Sequence, residues 1–367
     1  MNHVSLKKRT PNPPGLRIFL ARIKLIPVII LLLLAIFLAY MTLTDYNPQS
    51  AVTLTTGNSQ KAILKINAPF TIMTFNIGYA GLDKDQDFFM DGGKMSRSRS
   101  REQTLKNLRE ITGFLVRNIP DIIILQEVDI KASRSFYTDQ LACLKKALPD
   151  YSWTFGPNYN VQWVPVPLLN PMGSVYSGIA TFTGYQTISS TRYQYPGREP
   201  WPRQIFDLDR CFVENRIPVE NGSELVLINT HLSAFDEGGK IRKQQLTFLQ
   251  KYITKESAEG NYVIVGGDWN HVLPGTDPKL FATTQNWPFW LRNLPADFIP
   301  TGFKWVADKN IPTVRTNGKP YVKGVNFRVV IDGFLVSSNV QVLEVTGHKL
   351  EFAYSDHNPV TAVLLLK

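Results

Sequence analysis

Apolar and polar positions alternate along this chain in a way that predicts one long apolar helix followed by a domain of strands and helices. Short apolar, β-prone runs predict buried strands, and they cover 71–76, 122–125, 178–182, 225–228, 263–265, 328–336 and 360–366. Apolar residues at helical spacing predict helices between several of these strands, at about 105–118, 139–148 and 239–254.

The N-terminal apolar run, residues 25–43, contains no charged residue. It is about long enough to cross a ~30 Å hydrocarbon core as a helix. The charged residues before it are all basic, and they are Lys7, Lys8, Arg9, Arg17, Arg22 and Lys24. The positive-inside rule then predicts a cytoplasmic basic tail (1–24), a transmembrane helix (25–43), a linker (44–68) and a folded domain (69–367) outside the cell membrane.

A cleaved signal peptide is the competing interpretation of the same run. The run is longer than the core of a usual signal peptide, and no clear small-x-small cleavage site follows it. We therefore favour an uncleaved, single-pass anchor.

Composition narrows the class of protein only slightly. The chain has 367 residues, of which 44% are hydrophobic and 19% charged, which is typical of a globular protein. The formal net charge is +10, and about +4 remains without the six basic residues of the N-terminal flank. This is too mild to indicate a nucleic-acid surface by itself. Two cysteines, Cys143 and Cys211, do not make a disulfide scaffold, and we expect two separate buried thiols.

Polar residues follow or interrupt the predicted strands. In the stretch 263–270 an apolar run meets Gly266 and Gly267, and Asp268 and Asn270 then follow on a loop. A polar turn explains this one stretch equally well, because Asp and Asn are common in turns. The pattern recurs, however, at Asn76, Glu127, His231, Asp332, Asp356 and His357. A sheet that collects its strand ends at one edge would bring these side chains into one pocket.

The residue types of this set point to one chemistry. Carboxylates without a cysteine cluster suit a hard cation such as Mg²⁺ or Mn²⁺. Histidines can contact a phosphate oxygen and move protons, and a neutral asparagine can donate to an oxyanion. Together they indicate metal-assisted attack of water on a phosphoester.

Six segments, at 74–76, 125–127, 229–232, 266–270, 331–336 and 355–359, resemble motifs of the endonuclease/exonuclease/phosphatase superfamily. That superfamily includes DNase I-like nucleases, abasic-site nucleases, neutral sphingomyelinases and inositol polyphosphate 5-phosphatases. The segments occur in the family's order and span about residues 70–367. The resemblance implies a DNase I-like fold, a four-layer α/β/β/α sandwich of two mixed sheets.

The resemblance also implies a metal site. Glu127 matches the principal ligand of the divalent metal, with Asn76 beside it, and Asp356 is the acid on the metal side of the closing pair. The implied cofactor is Mg²⁺ or Mn²⁺.

Five further residues match catalytic positions of the family. His231 matches the histidine at the scissile phosphate, Asp268 the residue that positions or deprotonates the attacking water, and Asn270 the donor to the transferring phosphoryl. Asp332 matches the acid that orients His357, and His357 the histidine at the phosphate or nucleophile. The sequence leaves open whether Asp268 or His357 is the base.

The substrate stays open at this stage between a phospholipid head group, nucleic acid and a soluble phosphoester. The aromatic stretches 88–90 and 287–291 favour a lipid slightly, although we expect them to anchor loops rather than to dip into a membrane. The lack of a Lys/Arg cluster beside the motifs argues against an inositol polyphosphate. We expect a membrane-anchored, metal-dependent phosphoesterase with no obligate protein partner. The alternatives are a surface nuclease and a non-catalytic binding module on the same fold.

Overall fold

The computed structural model describes residues 14–57 and 61–367. The chain forms two units, and the boundary between them in the sequence falls between Asp45 and Tyr46. In the first unit, one helix, α1 (Pro14–Leu43), contains the predicted apolar run. Its 20-residue segment Lys24–Leu43 contains an 18-residue stretch with a mean hydropathy of 2.8, so its length and composition would allow it to cross a membrane or to serve as a signal sequence. Residues 1–13 of the predicted cytoplasmic tail and 58–60 of the predicted linker lie outside the described residues.

The second unit contains three α-helices and eighteen strands among its described residues. The helices are α2 (Arg101–Asn118), α3 (Gln140–Ala147) and α4 (Lys240–Ala258). The strands are β1 (Ala51–Thr53), β2 (Thr56–Gly57), β3 (Phe70–Asn76), β4 (Ile122–Asp129), β5 (Ser152–Val164), β6 (Gly173–Thr183), β7 (Ser189–Gln194), β8 (Cys211–Pro218), β9 (Glu224–His231), β10 (Tyr262–Asp268), β11 (His271–Val272), β12 (Arg292–Asn293), β13 (Phe303–Val306), β14 (Val314–Arg315), β15 (Arg328–Val329), β16 (Asp332–Ser337), β17 (Val340–Gly347) and β18 (Val360–Leu366).

Most of these strands form two seven-stranded mixed sheets. The first has the order β1-β7-β8-β9-β10-β16-β13, and the second has the order β17-β18-β3-β4-β6-β5-β2. Each sheet has one parallel pair near its centre, β9 with β10 in the first and β3 with β4 in the second. The remaining pairs in both sheets are antiparallel.

The two sheets pack face to face, and the helices cover their outer faces. Alternate residues of β4 show this arrangement: Ile124 packs in the core between the sheets, together with Leu227 and Ile264 of the first sheet. Ile123 points the other way, into the layer that contains Leu108 of α2. A strand that is buried on both faces consists of a continuous run of apolar residues, which is why 122–125 is recognisable as a strand in the sequence. The α4 helix packs on the outer face of the first sheet, and the predicted four-layer α/β/β/α sandwich is confirmed.

One predicted strand is wrong. The run 328–336 is two strands, because β15 pairs with β14 whereas β16 pairs with β10 and β13. Between them the backbone N–H groups of Ile331 and Asp332 both donate to Thr313 Oγ1, at 2.9 and 3.0 Å. Asp332 therefore begins a strand instead of interrupting one.

Several strands were not predicted, because they are not continuous apolar runs. The longest, β5, alternates buried and partly exposed residues over most of its length, as expected for a strand with one solvated face. Part of the predicted linker also joins the sheets, because β1 pairs with β7 and β2 with β5. The division of the chain at residue 68 stays a prediction.

The two cysteines are unpaired, as predicted. Cys211 is buried, but Cys143 is exposed, so the expectation of two buried thiols is wrong for Cys143.

Candidate active site

The carboxyl ends of the two central parallel pairs meet at one end of the sandwich. In the first sheet, Asp268 lies between His231 and Asp332 in register. In the second sheet, β3 ends at Asn76, whose Nδ2 donates to Asp268 Oδ2 across the two sheets at 3.0 Å. Sheet packing thus collects strand ends that are far apart in sequence.

All eight predicted site residues lie in or directly behind one cavity of about 270 Å³. Six of them line it, namely Glu127, His231, Asp268, Asn270, Asp356 and His357. The other two contact these residues from behind, Asn76 through Asp268 and Asp332 through His357. The roles that the family resemblance assigns to the eight residues stay predictions.

Irregular backbone turns two of these side chains into the cavity. Glu127 has a φ of +56° and lies where the pairing of β4 with β6 shifts register between Leu125 and Val128. Such a bulge re-aims a side chain at the end of a strand. Asn270 has a φ of +49°, a left-handed conformation that asparagine tolerates better than most residues.

The turn that carries Asp356 and His357 is tied to β3. Ser355 Oγ donates to the backbone oxygen of Asn76 at 2.8 Å, and the His357 N–H donates to Ser355 Oγ at 3.2 Å. Gly78, two residues beyond the end of β3, approaches the turn closely, because a Cβ there would lie 2.8 Å from Asp356 Oδ1. Packing at this point therefore fixes the turn against the end of the strand.

Asn76 is a hydrogen-bond donor at the centre of the site. Its Nδ2 lies 3.2 Å from Glu127 Oε1 and 3.0 Å from Asp268 Oδ2. Its Oδ1 accepts from the Gly78 N–H at 3.0 Å, which fixes the orientation of the amide. The oxygen of Asn76 thus faces the backbone of Gly78 in this arrangement, and its role as a metal ligand stays a prediction.

Asp268 is buried among groups that tune its charge. Its Oδ1 accepts from the Asn270 N–H at 2.9 Å, and its Oδ2 lies 3.4 Å from His231 Nε2 and 3.7 Å from His357 Nε2. Burial and the nearby Asp332 carboxylate raise the pKa of Asp268 to about 7, against the lowering effect of His357. Asp268 can therefore gain and lose a proton near neutral pH.

His357 is held in its charged form by carboxylates. Its Nδ1 lies 2.9 Å from Asp332 Oδ2, so that Nε2 is the ring nitrogen that faces Asp268 and the cavity. Burial opposes the charge, but Asp332 and Asp268 outweigh it and raise the pKa of His357 to about 10.

His231 behaves in the opposite way. Burial, Arg210 and His357 lower its pKa well below the usual value, so the ring is neutral at physiological pH. Its Nδ1 is buried and has no hydrogen-bond partner among the described residues. The two histidines of the site are thus a cation and a neutral group.

Two carboxylates fit a divalent cation. Glu127 and Asp356 both line the cavity, and burial and Asp356 raise the pKa of Glu127, although Arg134 opposes them. Two negative groups that destabilise one another in this way would be relieved by a cation. Asn317 Nδ2 donates to Asp356 Oδ2, which would orient that carboxylate as a ligand.

A different group has its potential ligand atoms close together, because those of Asp268, Asp332 and His357 lie within 4.8 Å of one another. Here His357 already donates to Asp332 and is protonated, whereas a metal needs a neutral histidine. We therefore interpret this group as a hydrogen-bonded catalytic cluster and place the metal-ligand candidates at Glu127 and Asp356.

Sequence reasoning missed two arginines that line the cavity. Arg134 is held by Asp129 at 2.9 Å and lies 4.0 Å from Glu127. Arg210 has a buried Nη1 without a partner in the described part of the chain, and the same holds for Asn158 Nδ2 on the cavity wall. Buried donors without partners suit an anionic group of a ligand. They come from separate segments, so the sequence shows no basic cluster beside the motifs.

Arg242 is a third missed residue, and it positions Asn270. Its guanidinium is buried against Asp236, and Nη1 donates to the backbone oxygen of Asn270 at 2.9 Å. Asn270 Nδ2 donates to the backbone oxygen of Leu232 at 2.8 Å. One of its two amide hydrogens therefore stays available to the cavity. An arginine in the first turn of a predicted helix gives no sequence signal for this contact.

Two packed mixed sheets, with carboxylates and histidines gathered where their strands end, define a protein with the phosphoesterase and nuclease fold. The chain belongs to the Endonuclease/Exonuclease/phosphatase family, whose model matches residues 73–357. Members of this family are hydrolases that act on phosphoester bonds, and the resemblance found in the sequence is confirmed. A comparison with curated protein sequences finds no match.

Solved structures share the fold at low sequence identity. An endonuclease/exonuclease/phosphatase from Beutenbergia cavernae DSM 12333 is 18% identical, with 81% of this chain and 72% of that chain covered and a TM-score of 0.55. TDP2 of D. rerio, solved with a single-strand DNA product, is 17% identical, with coverages of 81% and 99% and a TM-score of 0.52. The human nocturnin catalytic domain, with bound sulfate, is 17% identical, with coverages of 86% and 97% and a TM-score of 0.50.

Proposed function

We propose that this protein is a divalent-metal-dependent phosphodiesterase in which Asp268 activates the attacking water. The observation that carries the proposal is the continuous network from Asn76 through Asp268 to His357 and Asp332, beside the carboxylates of Glu127 and Asp356. A non-catalytic binding module would need neither a carboxylate poised near neutral pH nor a matched pair of histidines.

Glu127 and Asp356 would hold Mg²⁺ or Mn²⁺, both of which prefer oxygen ligands. When bound, the cation would neutralise charge on the phosphoryl oxygens and polarise the phosphorus centre. Asn317 and Arg134 keep the two carboxylates in place.

Different residues of this chain accept a proton and donate hydrogen bonds in the proposed reaction. Asp268 takes the proton of the attacking water, because its pKa is near 7 and the pKa of His357, at about 10, keeps that histidine charged. His357 donates a hydrogen bond from Nε2 to a phosphoryl oxygen, and Asp332 stabilises its charge. As the P–O bond to the water oxygen forms, the P–O bond to the leaving alcohol breaks, and the leaving oxygen keeps the electron pair and takes a proton from solvent. Neutral His231 and the free amide hydrogen of Asn270 donate to the remaining oxygens.

We further propose that α1 is an uncleaved membrane anchor and that the catalytic unit lies outside the cell membrane. The support is the 20-residue apolar segment Lys24–Leu43 and the basic, acid-free flank before it. Protease treatment of intact cells tests the orientation: cleavage of the catalytic unit while an N-terminal tag stays protected is the expected result. A mature protein that begins after residue 43 would instead identify α1 as a signal peptide.

The test of the function is a substrate panel with the full-length protein in Mg²⁺ and in EDTA. The panel contains bis(p-nitrophenyl) phosphate, sphingomyelin, other phospholipids, plasmid DNA and RNA. We expect metal-dependent hydrolysis that Asp268→Ala and His357→Ala abolish. Asp268→Asn, which keeps the shape of the side chain, should abolish it as well, whereas Asp150→Asn at an exposed turn is the matched control. If the wild-type protein hydrolyses no member of the panel, the proposed activity is wrong.

A nuclease is the second candidate, and the TDP2 structure with a single-strand DNA product is the observation in its favour. The same panel separates the two, because cleavage of DNA with lipids untouched would assign the nuclease activity.

A further inference from the structure

Beyond the catalytic groups, the walls of the active-site cavity are largely apolar. Four segments supply them, and their lining residues are Phe88–Met90, Val164 and Val166, Phe206 and Leu208, and Phe235. If the phosphate lies at the histidines, the groups that it carries must pack against these walls. Apolar walls with a few polar groups at one end suit an amphipathic substrate better than a highly charged one.

Large apolar side chains are also exposed around the mouth of this cavity. The turn between β5 and β6 carries Leu168 and Leu169, which are 85% and 102% exposed, and the base of the same turn lines the cavity through Val166. Three further exposed apolar residues are Met90, Trp201 and Phe289. The exposure of Met90 and Phe289 goes against the expectation from the sequence that their stretches only anchor loops. Met90 itself lines the cavity, Trp201 lies between the lining residues Glu199 and Arg203, and Phe289 packs on Phe235 with ring centroids 5.8 Å apart.

Single exposed apolar residues are normal, but several around one cavity mark an interaction surface. We call the six residues Met90, Val166, Leu168, Leu169, Trp201 and Phe289 the apolar rim. Two arginines near the rim are paired, Arg198 with Asp209 at 3.3 Å and Arg203 with Glu199 at 3.6 Å. Because each arginine is paired with an acid, the two pairs add no net charge near the rim. A surface that binds the rim therefore does not have to be anionic.

The chain enters the catalytic unit beside this same cavity. Arg192 lies over the ring of Tyr46, with its Cζ 5.7 Å from the ring centroid. The same guanidinium donates to the backbone oxygens of Pro157 and Asp209 at 2.7 and 2.8 Å. Asn158, which follows Pro157, and Arg210, which follows Asp209, both line the cavity. Tyr46 therefore lies behind the cavity wall, with Arg192 between them.

The connection from α1 to this point is short. The α1 helix ends at Leu43 and β1 begins at Ala51, and the residues between them can span at most about 25 Å. If α1 crosses a bilayer, the first strand of the catalytic unit stays within that distance of the bilayer surface.

We propose that the apolar rim is a membrane-docking surface that holds the mouth of the active site on the lipid–water interface, so that the substrate is a phosphoester of a bilayer lipid. The substrate part of this proposal rests on the proposed phosphodiesterase function, whereas the docking part rests only on the rim and the tether. Burial of the rim residues at the interface removes apolar surface from water.

Docking is tested without catalysis by a fluorescent probe. The full-length protein carries Cys143→Ser, which removes the exposed thiol, and Leu169→Cys labelled with a nitrobenzoxadiazole dye. It is placed in phosphatidylcholine nanodiscs with and without doxyl-labelled lipid. The matched control is Leu343→Cys, at an exposed position on β17, the strand at the other edge of the sheet from β2 and β5. We expect strong quenching at position 169 and little at 343, and equal quenching at both would overturn the proposal.

The substrate assignment is tested by activity. Leu168→Asp together with Leu169→Asp should lower the hydrolysis of phospholipid in vesicles by at least about tenfold, since charge opposes insertion at the interface. Hydrolysis of bis(p-nitrophenyl) phosphate should stay unchanged, and Leu343→Asp should change neither rate. Equal loss on both substrates would contradict the proposal.

The outcomes of the two proposals can be told apart. If the wild-type protein cleaves the soluble ester or nucleic acid but no vesicle lipid, the lipid assignment fails and the proposed phosphodiesterase stands. If it cleaves nothing, the proposed function fails, and the quenching experiment still decides docking.

Discussion

Gly267 gives the sharpest test of how the backbone builds this active site. It pairs with Thr230 of β9 on one side and with Gly333 of β16 on the other, one residue before Asp268. Its φ is +146°, which L-amino acids rarely adopt, and a Cβ at this position would lie 1.9 Å from the backbone oxygen of Thr230. We predict that Gly267→Ala destabilises the protein and displaces the groups on both sides of it.

The magnitude follows from the geometry. Cβ atoms essentially never approach within 3.0 Å of such an atom, so the two strands must separate by about 1.1 Å at this point. Loss of two ladder hydrogen bonds costs about 1 kcal/mol each, and the backbone strain adds about 1–3 kcal/mol. The total of about 3–5 kcal/mol is a large part of the 5–15 kcal/mol that stabilises a typical domain. Because a misplacement of about 1 Å can cost 100-fold in rate, any folded variant should also lose most of its activity.

The assay is urea unfolding of the full-length protein in detergent micelles, followed by tryptophan fluorescence, together with hydrolysis of bis(p-nitrophenyl) phosphate. Gly275→Ala is the matched control, because Gly275 also has a positive φ, of +80°, but a Cβ there meets nothing within 4 Å. The control should lose only about 1 kcal/mol, from backbone strain alone. Equal unfolding midpoints for Gly267→Ala and the wild-type protein, with unchanged turnover, would refute the reasoning.

Three further predictions concern the site. Asp332→Asn removes the carboxylate that raises the pKa of His357, and kcat should fall by about 10–100-fold with KM little changed. Arg242→Met leaves Asp236 as an unpaired buried charge, so the free energy of unfolding should drop by about 3–5 kcal/mol, and an unchanged urea midpoint would contradict this. Because Asp268 acts as a base with a pKa of about 7, activity should rise with pH up to about 7 and level off above it. A rate that falls between pH 5 and pH 7 would exclude this role.

The strands that were predictable from sequence are those buried on both faces. In β4 and β10 the residues 122–125 and 262–265 pack alternately into the central core and under a helix, so each of these positions is apolar and the run stands out. Strand β5, which lies next to the edge strand β2, has partly exposed residues along one face, so it is not a continuous apolar run and was not predicted. The break between β15 and β16 was not predicted for a different reason, since it depends on Thr313, which lies 18 residues before Ile331 and outside the run itself.

Among the predicted metal ligands, too, the sequence identified residues but not the orientation of every side chain. Glu127 and Asp356 are acids in recognisable motifs, and the cavity contains both. The orientation of Asn76 was not predictable, because the N–H of Gly78 and two carboxylates from other strands decide which end of the amide faces the cavity.

By itself, the sequence determined the apolar α1 segment, the buried strands and the polar residues at their ends, because these features depend on the local order of side chains. Tertiary structure alone decided that the ends of the parallel pairs in both sheets share one cavity, that Arg134 and Arg210 line it, and that exposed apolar residues surround its mouth. The physical reason is that face-to-face packing of two sheets brings together residues from distant segments. Charge, burial and hydrogen bonding in the cavity arise only once those segments meet.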